Sequence, residues 1–152
     1  MVRDYSQVLA NIEMAIEGED DWIAILATVV CELHNSFEDF HWTGFYRVTG
    51  PGLLKVGPYQ GGHGCLEITF DRGICGTCAT TQETQLVENV HQREDHIACS
   101  SSTMSEIVVP VLTEDGKTLA VLDIDSDIEA AFDENDKVNL EALCAIIATH
   151  FR

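Results

Sequence analysis

Basic residues are scarce in this chain: 8 Lys and Arg stand against 26 Asp and Glu, a formal charge of −18 over 152 residues. Such a surface repels phosphate backbones, which argues against nucleic acid as a partner. No apolar run reaches the ~18 residues of a membrane span, so no membrane association is expected. The opening Met1-Val2-Arg3-Asp4-Tyr5 holds no apolar signal core, so a cytoplasmic location with thiols reduced at rest is expected. Linkers, internal repeats and low-complexity stretches are also missing. The length fits one domain spanning residues 1–152, large enough to bury a core without disulfide or metal staples.

What the chain does have is cysteine in an unusual setting. Four of its six cysteines, Cys65, Cys75, Cys78 and Cys99, fall between Gly61 and Glu106, among Gly61, Gly62, Gly64, Gly73 and Gly76. Thiols on glycine-rich loops beside polar groups are placed for chemistry, whereas inert buried cysteines sit inside apolar periodic runs. Cys31 and Cys144 lie in such runs and are expected to pack. The acidic field disfavours thiolates, so a reactive cysteine needs local help, for which His63, Arg72, Arg93 and His96 are the nearby candidates. His63 and His96 read equally as solvated loop histidines.

The periodicity predicts helices over Tyr5–Ile16, from an Asp20-Asp21 cap to about Leu33, over Ile74–Thr81, and over Glu134–Phe151. The last of these carries Val138, Leu140, Leu143, Ile146 and Ile147 on its apolar side. Strands are expected over Trp42–Val48, Leu53–Gln60, Leu66–Phe70, Gln85–Val90, Ile107–Leu112 and Thr118–Ile124, with a long loop over His91–Met104. Hairpin connections dominate, which indicates an α+β fold with a mainly antiparallel sheet and helices packed on it.

Three constellations can carry chemistry. In the first, Cys75-Gly76-Thr77-Cys78 is a C-x-x-C pair. A thioredoxin-type motif would need a βαβ context that is missing, and a zinc site would need His63, Cys65, His96 or Cys99 at spacings that match no standard module. Cys78 reads as a small helix residue facing the core. Cys99, among Ala98, Ser100, Ser101 and Ser102 in an aperiodic loop, is the candidate reactive thiol, with a solvent-exposed bystander as the alternative, and Cys65 at a loop-to-strand boundary is its candidate partner. The second is carboxylate. Asp123 and Asp125 share a strand face and Glu106 begins a neighbouring strand. Three clustered acids repel, so at least one retains its proton, and the group can bind an ammonium and donate a hydrogen bond. A solvated strand end or a cation site is the alternative. The third is aromatic. Trp42, Gly44 and Tyr46 share a face, and the glycine is expected to leave a gap suited to a methyl-sulfur group unless both rings simply fill the core.

Together, Trp42-Thr43-Gly44-Phe45-Tyr46, Arg72-Gly73-Ile74-Cys75-Gly76, His96-Ile97-Ala98-Cys99, Ser105-Glu106-Ile107-Val108-Val109-Pro110 and Leu122-Asp123-Ile124-Asp125-Ser126 resemble the free methionine-R-sulfoxide reductases, single-domain enzymes of the GAF fold. The resemblance covers nearly the whole chain. It implies a single GAF domain with a six-stranded antiparallel sheet flanked by helices, a homodimer, and no metal or organic cofactor. It also implies reduction of free methionine-R-sulfoxide, with thioredoxin as reductant. By the same resemblance Cys99 is the nucleophile, Cys65 the principal resolving cysteine and Cys75 an auxiliary one. Trp42 and Tyr46 line the methyl-sulfinyl end of the substrate, and Glu106, Asp123 and Asp125 hold it. Cys78 stands where the family has a small residue such as alanine, and the Thr113–Lys117 loop and the N-terminal region are short for the family. A small-molecule-sensing GAF module without catalysis is the rival expectation.

Overall fold

The computed structural model describes residues 2–97 and 99–151. Its sheet has six strands: β1 (Trp42–Gly50), β2 (Leu53–Gln60), β3 (Glu67–Thr69), β4 (Gln85–Val87), β5 (Ser105–Leu112) and β6 (Thr118–Ser126). Their order is β3-β2-β1-β6-β5-β4, and all five pairings are antiparallel. Two hairpins, β1–β2 and β5–β6, are zipped together at the centre by β1 against β6. Four helices accompany them: α1 (Ser6–Ile16), α2 (Trp22–Ser36), α3 (Gly73–Thr81) and α4 (Glu134–Thr149).

Strand alternation divides the sheet into two faces. One face carries Phe45 from β1, Ile107, Val109 and Val111 from β5, and Ala120, Leu122 and Ile124 from β6. These residues form a single buried cluster with α1, α2 and α4. The other face carries Trp42, Tyr46, Leu54, Val108 and Val121, packed with α3 in a second, smaller cluster. The N-terminal arm closes the first cluster. Arg3 bonds Asp39 and Asp136, and the Tyr5 hydroxyl donates to Asp136 at 2.5 Å.

The expected helices form with adjusted ends. Asp21 caps α2 by accepting from the Ala24 N–H. The helix continues a turn past Leu33, where Asn35 and Ser36 side chains donate to the carbonyls of Cys31 and Glu32. Cys31 does not pack as expected: it is exposed, because Ile25, Leu26, Val29, Val30 and Leu33 set the buried stripe and leave position 31 outside it. Cys144 is buried on α4 as expected. Val138 is 58% exposed, since Asp136, Leu140, Leu143, Cys144 and Ile147 set the inward phase of that helix. The expected Leu66–Phe70 strand contracts to β3, with Leu66 exposed. The Gln85–Val90 strand ends at Val87. Val90–Gln92 instead forms a 3-10 turn capped by Asn89, whose side chain accepts from the His91 N–H.

Candidate active site

The floor of the site is the β1–β6–β5 centre of the α3 face. Register places Asp125 opposite both Trp42 and Glu106, and Asp123 opposite Gly44 and Val108. Directly paired residues point to the same side of a sheet, so Trp42, Glu106, Asp123 and Asp125 converge. Glu106 is 6% exposed and Asp123 4%. One oxygen of Asp123 and one of Asp125 are buried without a hydrogen-bond partner. Burial, then the neighbouring Asp125 and Glu106 charges, pushes the Asp123 carboxyl well above the usual carboxylate range. Asp125 is likewise held well above it, by burial and then by Glu106. Burial also raises Glu106, opposed by its hydrogen bonding with Asp123 and Asp125. Three carboxyls in so little water cannot all ionise, so the floor retains protons and stays short of positive charge.

The aromatic wall is built differently from expectation. Gly44 does not leave a gap for a ligand. A Cβ there would sit 2.6 Å from the Trp42 ring and 2.5 Å from Tyr59. The missing side chain is the space the indole occupies. Gly61 and Gly64 crowd the same ring, at 3.0 and 2.7 Å from a notional Cβ. Cradled by three glycines, Trp42 stacks between Tyr46 and Tyr59, with centroids at 5.8 and 5.2 Å, and its Nε1–H donates to the Gly62 carbonyl at 2.9 Å. The two rings both fill the second core and line the hollow. Tyr46 remains a neutral hydroxyl, its pKa raised by burial and then by Asp123.

The roof carries the thiols. Cys65 and Cys99 are joined in a disulfide, with Cα atoms 5.5 Å apart. Cys75, near the start of α3, is a free thiol, 4% exposed, and its sulfur lies within 4.8 Å of carboxylate oxygens of Glu106 and Asp123. Burial and then the charge of Asp123 push this thiol up, so it stays protonated. Cys78 is buried, as expected for a packing residue, with its sulfur 3.6 Å from the Val108 carbonyl. The zinc alternative is not assembled in this state, because Cys65 and Cys99 spend their sulfurs on each other and Cys78 faces Val108. Between floor, wall and roof lies a small hollow of about 40 Å³, bordered by Trp42, Tyr46, Cys75, Cys99, Glu106 and Asp123. Asp125 and His63 also reach it.

One set of contacts was not visible in the sequence. Asp95 accepts from the Arg93 guanidinium at 2.7 Å and from the Thr77 hydroxyl of α3 at 2.9 Å. Gly73, at φ +72°, makes room for Ile97, whose side chain would stand 2.8 Å from a Cβ. This clasp seats the loop bearing Cys99 on the helix bearing Cys75. The only trace in sequence is Arg93 two residues from Asp95 in an aperiodic stretch. The clasp also occupies Arg93, one of the expected helpers of a thiolate. His96 is no cationic helper either, because burial and then His91 pull its pKa down.

The fold and the thiols above a buried acid floor define a GAF-domain protein, and residues 21–151 match the GAF domain family. A free methionine-R-sulfoxide reductase of Saccharomyces cerevisiae is 40% identical over 147 residues, covering 93% of this chain and 82% of that protein. The structure of free methionine-R-sulfoxide reductase from Neisseria meningitidis in complex with its substrate superposes with a TM-score of 0.92 at 41% identity, covering 99% and 92% of the two chains. The reduced form of the Staphylococcus aureus protein gives 0.93 at 38%, covering 100% and 99%. The chain therefore belongs to the free methionine-R-sulfoxide reductase family.

Proposed function

We propose that this protein reduces free L-methionine (R)-S-oxide to L-methionine, with Cys99 as nucleophile, Cys65 as resolving thiol and Cys75 as an auxiliary one. The observation that carries the reading is the Cys65–Cys99 disulfide roofing a hollow with a three-carboxyl floor. In the reduced protein the Cys99 thiolate attacks the sulfoxide sulfur. A protonated carboxyl among Glu106, Asp123 and Asp125 delivers a proton to the departing oxygen. The protonated oxygen passes from the methionine sulfur to the Cys99 sulfur as its bond to the former breaks, so methionine leaves and Cys99 is left as sulfenic acid. Cys65 condenses with it, forming the disulfide and releasing water, so the two thiols supply both electrons. Thioredoxin then reduces the disulfide, and the enzyme works as a cytoplasmic homodimer. Among the described residues, no helix is long and apolar enough to cross a membrane.

Specificity follows from the floor. The ionised share of the acid cluster pairs with the substrate ammonium. A peptide-bonded methionine has no ammonium, and would leave buried charge unmatched. Trp42 and Tyr46 surround the S-methyl group, to which aromatic faces are attractive.

The test is stereochemical. With a thiol reductant, the purified protein should consume the free R-sulfoxide and spare the S-sulfoxide and peptide-bound sulfoxide. Cys99→Ser should abolish turnover. Wild-type rates in Cys99→Ser, with loss in Cys78→Ser, would reverse the assignment.

A further inference from the structure

We propose that the floor is also a site for a thiophilic divalent cation, Zn²⁺ or Cd²⁺, held by Cys75 Sγ and by carboxylate oxygens of Glu106 and Asp123. The three ligand atoms lie within 4.8 Å of one another, and all three side chains are buried. They come from three elements, α3, β5 and β6, so the donors surround a point instead of lining an edge. The unpartnered Asp123 oxygen is an acceptor with no donor, in a residue only 4% exposed. A thiol with two carboxylates is a borderline-soft donor set, which favours Zn²⁺ and Cd²⁺ over Mg²⁺ or Ca²⁺. Bonds of ~2.0–2.3 Å require the donors to close by roughly an ångström, within the reach of small χ rotations.

Cys75 and its carboxylates are free while Cys65 and Cys99 are bridged. The site therefore persists in the disulfide form. Binding releases to solvent the Cys75 thiol proton and the protons that the Glu106 and Asp123 carboxyls retain, and changes no oxidation state. The bound ion stands where the substrate ammonium is proposed to sit, so the cation excludes substrate. That competition rests on the reductase reading, whereas the cation site does not.

The experiment uses the disulfide form of the protein with exposed Cys31 replaced by Ser, titrated with Cd²⁺ in the absence of thiol reductant. One equivalent per chain should bind with an ultraviolet sulfur-to-cadmium charge-transfer band. Cys75→Ser should remove the band. Asp123→Asn should keep it but weaken Cd²⁺ binding by about tenfold or more. Circular dichroism and Tm establish that each variant is folded, and Glu106→Gln, also expected to weaken binding, serves if one is not. No band, a band surviving Cys75→Ser, or an affinity indifferent to both carboxyl variants would overturn the site. Free methionine should displace the ion and N-acetylmethionine should not. A saturable band insensitive to free methionine would leave the cation site standing and sink the shared ammonium position.

Discussion

The two faces of the sheet are made from the same strands and do opposite work. On β6, Leu122 and Ile124 point into a dry core, while Asp123 and Asp125 point into a hollow roofed by thiols. On β5, Ile107 and Val109 lie on the dry side, and Glu106 stands one residue out of phase with them. The dry face is closed by three helices and the N-terminal arm. The other face is closed by one short helix and two loops joined by a disulfide. Stability and chemistry are thus separated by a single residue step along each strand. The dry face supplies the rigidity that lets the opposite face keep three carboxyls together, an arrangement that costs folding energy.

If that division is real, truncating the dry face should cost stability and spare turnover. Leu122→Ala is expected to lose about 2–5 kcal/mol of unfolding free energy, with kcat/KM per folded molecule unchanged within about twofold. Denaturant melts and active-site-normalised rates check this, and a large loss of kcat/KM at unaltered stability would break the comparison. Asp123→Asn should do the reverse. Turnover of the free sulfoxide is expected to fall by about tenfold to a hundredfold, as a carboxyl of the proposed proton-donating and ammonium-binding floor is lost.

The same variant should be more stable than wild type, with a definite pH dependence. The folded-state pKa of Asp123 is raised, so the folded protein holds a proton that the unfolded chain sheds near pH 4. Stability linked to this carboxyl is fully present below that pH and drains away as pH rises towards the folded value. Asparagine does not ionise and avoids the loss. Calorimetry should therefore show little difference in Tm near pH 4 and a higher Tm for Asp123→Asn at pH 8. A gain of about 1–3 kcal/mol corresponds to roughly 2–4 °C for each kcal/mol in a chain of this size. The smallest effect is expected at the clasp. Thr77→Val removes one donor to Asp95 and should cost about 0.5–1.5 kcal/mol. Its signature is faster amide hydrogen exchange over residues 93–103, with the dry face unaffected.

The division was partly legible beforehand. Strand alternation alone puts Asp123 and Asp125 on one side, and the position of Glu106 at a strand start makes it available to join them. What alternation cannot supply is strand order. Only the pairing of β5 and β1 with β6 brings Glu106 and Trp42 opposite Asp125. Gly44 is legible as a missing side chain, but its space belongs to Trp42 and not to a ligand, because a flexible neighbouring ring can fold back over a strand glycine. Cys31 and Val138 fall outside the buried stripes for a shared reason. Apolar residues lie on more than one side of α2 and α4, and composition does not reveal which stripe the sheet will select. The Thr77–Asp95 clasp joins a helix to an aperiodic loop, where no period exists to be read.

The central pairing of β1 with β6 has a consequence for biosynthesis. A ribosome delivers the cysteines at 65, 75 and 99 before the stretch through residue 126 that completes their acidic bed. A nascent chain therefore exposes these sulfurs before the carboxyl floor that lies beneath them in the folded protein has formed. Such distant zippering is slow compared with helix formation. The interval between emergence and docking is when an oxidising cell has its best chance to bridge the wrong pair.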